Sequence, residues 1–233
     1  IFTGEFFSNL YNKDKRKFYI YYNVYVKQIC YLLNLLGINI NTVPVLDVKR
    51  KITNNIIGNR SFSSNPHLVS KLGKICINKF RENKIGTVIK HIPGHGLSTV
   101  DSHNKLPIVK EKINLLNKID FLPFKKQNSF LAMTAHIIYN SIDSKNTATH
   151  SNKVISIIRK KIGFKNIIMS DDISMKALKY SVAKNTTKAF KAGCNLVLHC
   201  NGNHREMLIV AKNSPFLSNF LIKKTSQLVN LIR

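Results

Sequence analysis

Short apolar runs alternate along the chain with longer stretches in which apolar residues recur every three to four positions. Tyr19 to Leu36 has the helical period and is closed by Gly37, and Ile38 to Val48, with its Thr-Val-Pro-Val-Leu run, predicts a strand ending at Asp47. Pro66 to Phe80 predicts a helix, and Gly86 to Lys90 a short buried strand. Further helix is expected from Pro107, a strand from Phe130 to Thr134, and a helix from Lys153 to Ile162 stopped by Gly163. Asn166 to Met169 predicts a strand, Met175 to Ala192 a helix and Asn195 to Leu198 a last strand, with short loops and helix beyond.

Apolar strands separated by helices of this kind predict an α/β fold with a parallel sheet covered by helices. The polar clusters fall just after the strands. In a (β/α) barrel those positions converge on the C-terminal rim, so residues distant in sequence share one pocket.

With 233 residues, 44% of them hydrophobic, the chain is long enough for a sizeable core, as one large domain or two small ones. Lys and Arg number 37 against 11 Asp and Glu, a net charge of +26 that attracts polyanions and anionic surfaces whatever the fold. The excess is spread along the chain and accompanied by 27 Asn, a pattern of compositional drift more than of a dedicated binding tail. Cys30, Cys76, Cys194 and Cys200 show no CxxC spacing and read as free thiols in a reducing cytoplasm, with Cys194 and Cys200 expected in the core. Neither a signal peptide nor a continuous apolar run of about 18 residues is present, so no membrane partner is expected.

Residues 90 to 103 read Lys-His-Ile-Pro-Gly-His-Gly-Leu-Ser-Thr-Val-Asp-Ser-His, the densest set of proton-handling side chains in the sequence. Gly94 and Gly96 flank His95 and permit a tight fold over a ligand. Asp101 and His103 are close enough for a carboxylate to orient an imidazole that titrates near neutral pH. Asp171, in the Ser-Asp-Asp at 170 to 172, is the best candidate nucleophile, and Asp172 suits a structural cap. Arg60, in Gly-Asn-Arg-Ser, is either a surface residue or a ligand clamp. A metal site from His91, His95 and His103 matches no zinc spacing and has no evident fourth ligand. Neither a GxGxxG nor a P-loop pattern occurs. No cofactor is expected.

Four blocks resemble a known family in order: Pro-Val-Leu-Asp-Val at 44 to 48, Lys-His-Ile-Pro-Gly-His-Gly at 90 to 96 with Asp-Ser-His at 101 to 103, Thr-Ala-His at 134 to 136, and Ser-Asp-Asp-Ile-Ser-Met at 170 to 175. They resemble the bacterial β-N-acetylglucosaminidases of glycoside hydrolase family 3, the NagZ type of peptidoglycan recycling. The resemblance implies a cytoplasmic retaining hydrolase of the (β/α)8 TIM-barrel type. Its substrate would carry a terminal N-acetylglucosamine on a 1,6-anhydro-N-acetylmuramic unit, with or without peptide. It further implies that Asp171 is the nucleophile, that His103 is the general acid and base assisted by Asp101, and that Arg60, Lys90 and His91 hold the sugar.

The chain also departs from that pattern. Family members carry further strands before the position of Thr42 to Leu46, ending in an Asp-Gln-Glu-Gly-Gly block that nothing here matches. About five of the eight barrel strands are therefore expected. The expectation is a single catalytic domain over 1–233, truncated at its N-terminus, with Ile1 in place of a starting Met. A non-catalytic remnant and, less favoured, a basic nucleic-acid-binding module are the other readings. The first would show intact outer helices but an unfilled pocket and poor solubility, and the second would bind with strong salt dependence.

Overall fold

In the computed structural model, which describes residues 2–50, 57–98 and 106–232, the chain opens on two helices capped by their own side chains. Thr3 accepts a hydrogen bond from the Phe6 amide at the start of α1 (Gly4–Lys13), and Asp14 accepts from the Lys17 amide at the start of α2 (Lys15–Leu35). After β1 (Ile40–Asn41) comes α3 (Pro66–Glu82), whose Asn65 cap accepts from the His67 and Leu68 amides. The order continues with β2 (Gly86–Ile92), β3 (Ile108–Val109), α4 (Ile113–Lys118), β4 (Leu131–Thr134), β5 (Ile138–Tyr139) and α5 (Asn152–Ile157). It ends with β6 (Ile167–Asp172), α6 (Val182–Ala192), β7 (Leu196–Leu198), α7 (His204–Lys212) and α8 (Asn219–Ile232).

Five strands form one parallel sheet in the order β1-β2-β4-β6-β7, curled into a half-barrel, and β3 pairs with β5 in a separate two-stranded sheet. Chain order and sheet order agree because a crossover returns each strand beside the previous one. Side chains alternate between the two faces. Ile89, Ala132, Ile168 and Val197 face outward into the main core, against Val69, Leu72, Cys76 and Ile77 of α3, Val154 and Ile155 of α5, and Ala189 and Ala192 of α6. Val88, Leu131, Met133, Ile167, Met169 and Leu196 face the concave side, where Leu221 and Leu228 of α8 cover them. Among the described residues no helix is long and apolar enough to cross a membrane.

Four expectations differ from the structure. The strand expected over Ile38 to Val48 shrinks to β1 plus an isolated bridge from Val45 to Lys90. Pro44 has no N–H to offer a ladder, and the Val43 amide turns back to the Asn41 carbonyl at 2.9 Å. Pro107 opens no helix: its carbonyl accepts from the Ile138 amide, and the next residues become β3. The helix expected from Met175 starts only at Val182. The stretch before it is a series of turns, with the Asn185 amide group donating to the carbonyls of Ile173 and Tyr180 and Ser181 capping α6. Cys200 is exposed, not in the core, because it lies beyond β7 in the rim loop, whereas Cys30, Cys76 and Cys194 are buried.

Candidate active site

The C-terminal ends of β2, β4 and β6 and the segment after β1 bring their polar residues to one rim. The anchor is Asp47, fully buried, which accepts from the His95 amide at 2.6 Å, from the His91 amide at 3.2 Å and from the His91 ring Nδ1 at 2.7 Å. Burial would push the Asp47 carboxyl up, yet the His91 and His95 groups around it outweigh that and hold it below the usual carboxylate range. A carboxylate on Nδ1 fixes the tautomer and turns Nε2 of His91 outward. That nitrogen stands 4.0 Å from Oδ2 of Asp171.

Asp171 is the penultimate residue of β6 and is partly exposed. Its Oδ1 accepts from the Asp172 amide at 2.8 Å, and Oδ2 faces His91. Asp172 points elsewhere: it accepts from the Ser174 amide at 3.0 Å, the Ser174 hydroxyl at 2.7 Å and the Cys200 amide at 3.1 Å. Burial acts to raise its carboxyl, but these hydrogen bonds prevail and lower it. The capping role expected for Asp172 matches this geometry.

Behind Asp171 lies His136, a residue quoted only as part of a sequence block. Its Nε2 donates to the Asp172 carbonyl at 2.9 Å, and its Nδ1 meets the Thr149 hydroxyl at 2.7 Å. Burial lowers its pKa, so the ring is neutral and Nδ1 accepts. The Thr134 hydroxyl joins the same Thr149 oxygen at 2.8 Å, so all three residues fix the β6 end from below.

Lys90 sits beside this group, its Nζ donating to Thr42 Oγ1 at 3.2 Å. Burial and then the charge of Arg60 lower its pKa, while Asp171 and Asp47 oppose the shift. Arg60 itself is exposed, in the short 3-10 turn Gly58–Arg60. The two cations share the lining of a cavity of about 420 Å³ with Thr42, Asn59 and the aromatic rings of Phe7 and Tyr22. Lys90 thus lies within electrostatic reach of both Arg60 and Asp171, and His91 faces Asp171, while the cavity is lined by neither His91 nor Asp171 and Asp101 and His103 lie outside the described residues.

The tract leading toward those two residues is tightly seated. Gly94 has φ 142°, and a Cβ there would come within 2.8 Å of the Asp120 carbonyl oxygen and side chain, so only glycine fits. The Gly94 carbonyl accepts from the Tyr139 hydroxyl. His95 is buried, and burial pulls its pKa down to about 4, which leaves it a neutral structural ring in contact with His91. Asp120 beneath it is paired with Arg50 at 3.5 Å, yet burial raises its carboxyl to about 7. Among the described residues no group of three His, Cys, Asp or Glu is arranged to hold a metal ion.

Sequence reasoning named the rim residues but missed Asp47 as their anchor. Only the strand end at 47 signalled it, and its partner lies 44 positions later.

Comparison with known proteins sets this geometry in a family. Residues 23–226 match the glycosyl hydrolase family 3 N terminal domain. A β-hexosaminidase of Nitrosomonas eutropha is 32% identical over 184 residues, which cover 75% of this chain and 53% of that protein. The β-hexosaminidase of Neisseria meningitidis serogroup C is 33% identical over 174 residues, 72% of this chain and 48% of that one. The solved structure of NagZ from Neisseria gonorrhoeae in complex with N-trifluoroacetyl-D-glucosamine superposes with a TM-score of 0.86 at 26% identity, covering 97% of this chain and 66% of that one. The chain spans about half the length of these curated relatives. With a sequence match over most of its length and a half-barrel that superposes on such enzymes, the chain belongs to glycosyl hydrolase family 3, in the N-terminal domain of that family.

Proposed function

We propose that this chain carries the catalytic rim of a retaining β-N-acetylglucosaminidase that removes terminal N-acetylglucosamine from cytoplasmic, peptidoglycan-derived muropeptides. The observation that carries the reading is the Asp171 carboxylate at a strand end, with one oxygen free of hydrogen bonds among the described residues and 4.0 Å from an imidazole nitrogen locked by a buried carboxylate. The relatives' names, β-hexosaminidase and NagZ, support the substrate class.

In this reading Asp171 attacks the anomeric carbon while the leaving oxygen takes a proton from His103, giving a covalent glycosyl-enzyme. Neutral His103, oriented by Asp101, then takes a proton from water as that water attacks the same carbon and releases Asp171. A histidine in this role adds no negative charge beside the attacking carboxylate. Lys90 and Arg60 donate to sugar hydroxyls and to the acetamido oxygen, Nε2 of His91 accepts from a sugar hydroxyl, and together they align the anomeric carbon with Asp171. No metal or cofactor enters the scheme.

The test is hydrolysis of a chromogenic N-acetylglucosaminide by the chain and by Asp171→Ala. Turnover lost in the variant, with its circular dichroism unchanged, supports the reading, and equal turnover in both ends it. A second reading, a non-catalytic remnant, is favoured by β1 and β7 being the unpaired edges of the sheet among the described residues. It predicts that the unaltered chain binds N-acetylglucosamine without hydrolysing the substrate.

A further inference from the structure

Resting on the reading of Asp171 as the attacking group, we propose that α8 is a positioning element of the site, acting from the concave face through Leu221 and Leu228. The two leucines stand seven residues apart, so they share one side of the helix. They are the buried positions of α8, and they pack with Val88, Leu131, Met133, Ile167 and Met169. Leu228 also reaches the foot of β2, where a Cβ on Gly86 would lie 3.4 Å from its Cδ1.

Val88 and Met169 precede Lys90 and Asp171 by two residues on their strands, and although the pairing of β6 with β7 shifts register between Met169 and Asp172, each is the nearest concave-face residue before a rim residue along its strand. A closed barrel fills that layer with side chains from its own strands. Here a helix fills it. Its grip is narrow: Phe220, Ile222 and Val229 of the same helix are exposed, and the segment before it carries a fully exposed Phe216. Arg159 over the Phe220 ring, 5.8 Å from its centroid, is a second tether near the start of the helix. When α8 is docked the concave layer is packed and the strand ends are held. When it leaves, Val88 and Met169 lose their cover and the rim residues above them gain freedom.

The experiment compares the full chain with Leu228→Ala and Leu228→Met by three readings: tryptic cleavage after Lys223 and Lys224 in α8, the ring-proton NMR resonances of His91 and His136 that flank Asp171 and Asp172, and hydrolysis of the chromogenic substrate. Leu228→Ala is expected to speed cleavage roughly ten-fold, displace the His91 resonances, and lower kcat about ten-fold with KM changed less than about two-fold. Leu228→Met is expected to restore all three, because it refills the same volume. Cleavage unchanged in Leu228→Ala overturns the proposal, as does faster cleavage with the His91 resonances in place. A parent chain that does not hydrolyse the substrate sinks the hydrolase reading, while cleavage and NMR still decide the role of α8. If Leu228→Ala does not fold, Leu228→Val carries the same readings.

Discussion

Asp47 and Asp171 face different ring nitrogens of His91, Asp47 bonded to Nδ1 at 2.7 Å and Asp171 standing 4.0 Å from Nε2, and they are held in opposite ways. Asp47 is sealed from solvent and saturated by the His91 amide, the His91 ring and the His95 amide. Asp171 is partly exposed, accepts one amide and leaves an oxygen toward the rim. The difference separates anchoring from reactivity. A carboxylate whose lone pairs are all engaged orients its neighbours, whereas one with an oxygen free of hydrogen bonds among the described residues, beside a fixed imidazole, can form a bond to a substrate.

The strongest way to break this comparison is Asp47→Ala. It strands the His91 and His95 amides in the interior, so urea unfolding should show a loss of about 3–5 kcal/mol, with activity lost as well. Asp171→Asn, which can still accept the Asp172 amide, should lower activity by at least about a thousand-fold and shift stability by less than about 0.5 kcal/mol. Equal destabilisation by the two substitutions would erase the distinction.

A smaller effect tests the second buried carboxyl, Asp120. Its folded pKa of about 7 lies above the ordinary carboxylate value, so the fold favours its protonated form. As pH rises from about 4 to 7, the unfolded chain ionises first and stability is lost, by at most about 1.4 kcal/mol per pH unit. Asp120→Asn should therefore gain on the parent between about pH 4 and 7 in urea melts, and a constant difference across that range would contradict the cause assigned. His95 and His150, both depressed to about 4 by burial, act in the other direction: their contribution is full above about 6.5 and is lost as pH falls toward 4. The smallest effect belongs to Asp172→Ala, which removes the acceptor of Ser174 and Cys200 and should cost about 1–2 kcal/mol while affecting kcat less than Asp171→Asn does.

Much of the fold could be read from local pattern. The runs at 86 to 90, 130 to 134, 166 to 169 and 195 to 198 are short, apolar and bounded by turn residues, and they became β2, β4, β6 and β7. The polar residues after them reached one rim because a parallel sheet with sequential crossovers leaves no other place for its strand ends. What local pattern could not show depended on distant partners. The anchoring role of Asp47 exists only because His91 lies beside it. The apolar and polar pattern from Met175 suits a helix, but Asn185 reaches back to two carbonyls and holds that stretch as turns. For α8 the sequence indicates a buried side without saying which surface covers it, and the concave face was not the surface expected of a barrel helix.

That placement of α8 also bears on the order in which the protein can be made. Residues 88, 131 and 169 leave the ribosome long before residues 221 and 228, so the inner surface of the sheet is translated well ahead of the helix that covers it. The outer layer can assemble as each crossover emerges, since α3, α5 and α6 lie next in sequence to the strands they pack against. The nascent chain therefore carries an uncovered apolar trough until α8 has emerged, and that interval, more than the folded molecule, is where aggregation or capture by a chaperone competes with folding.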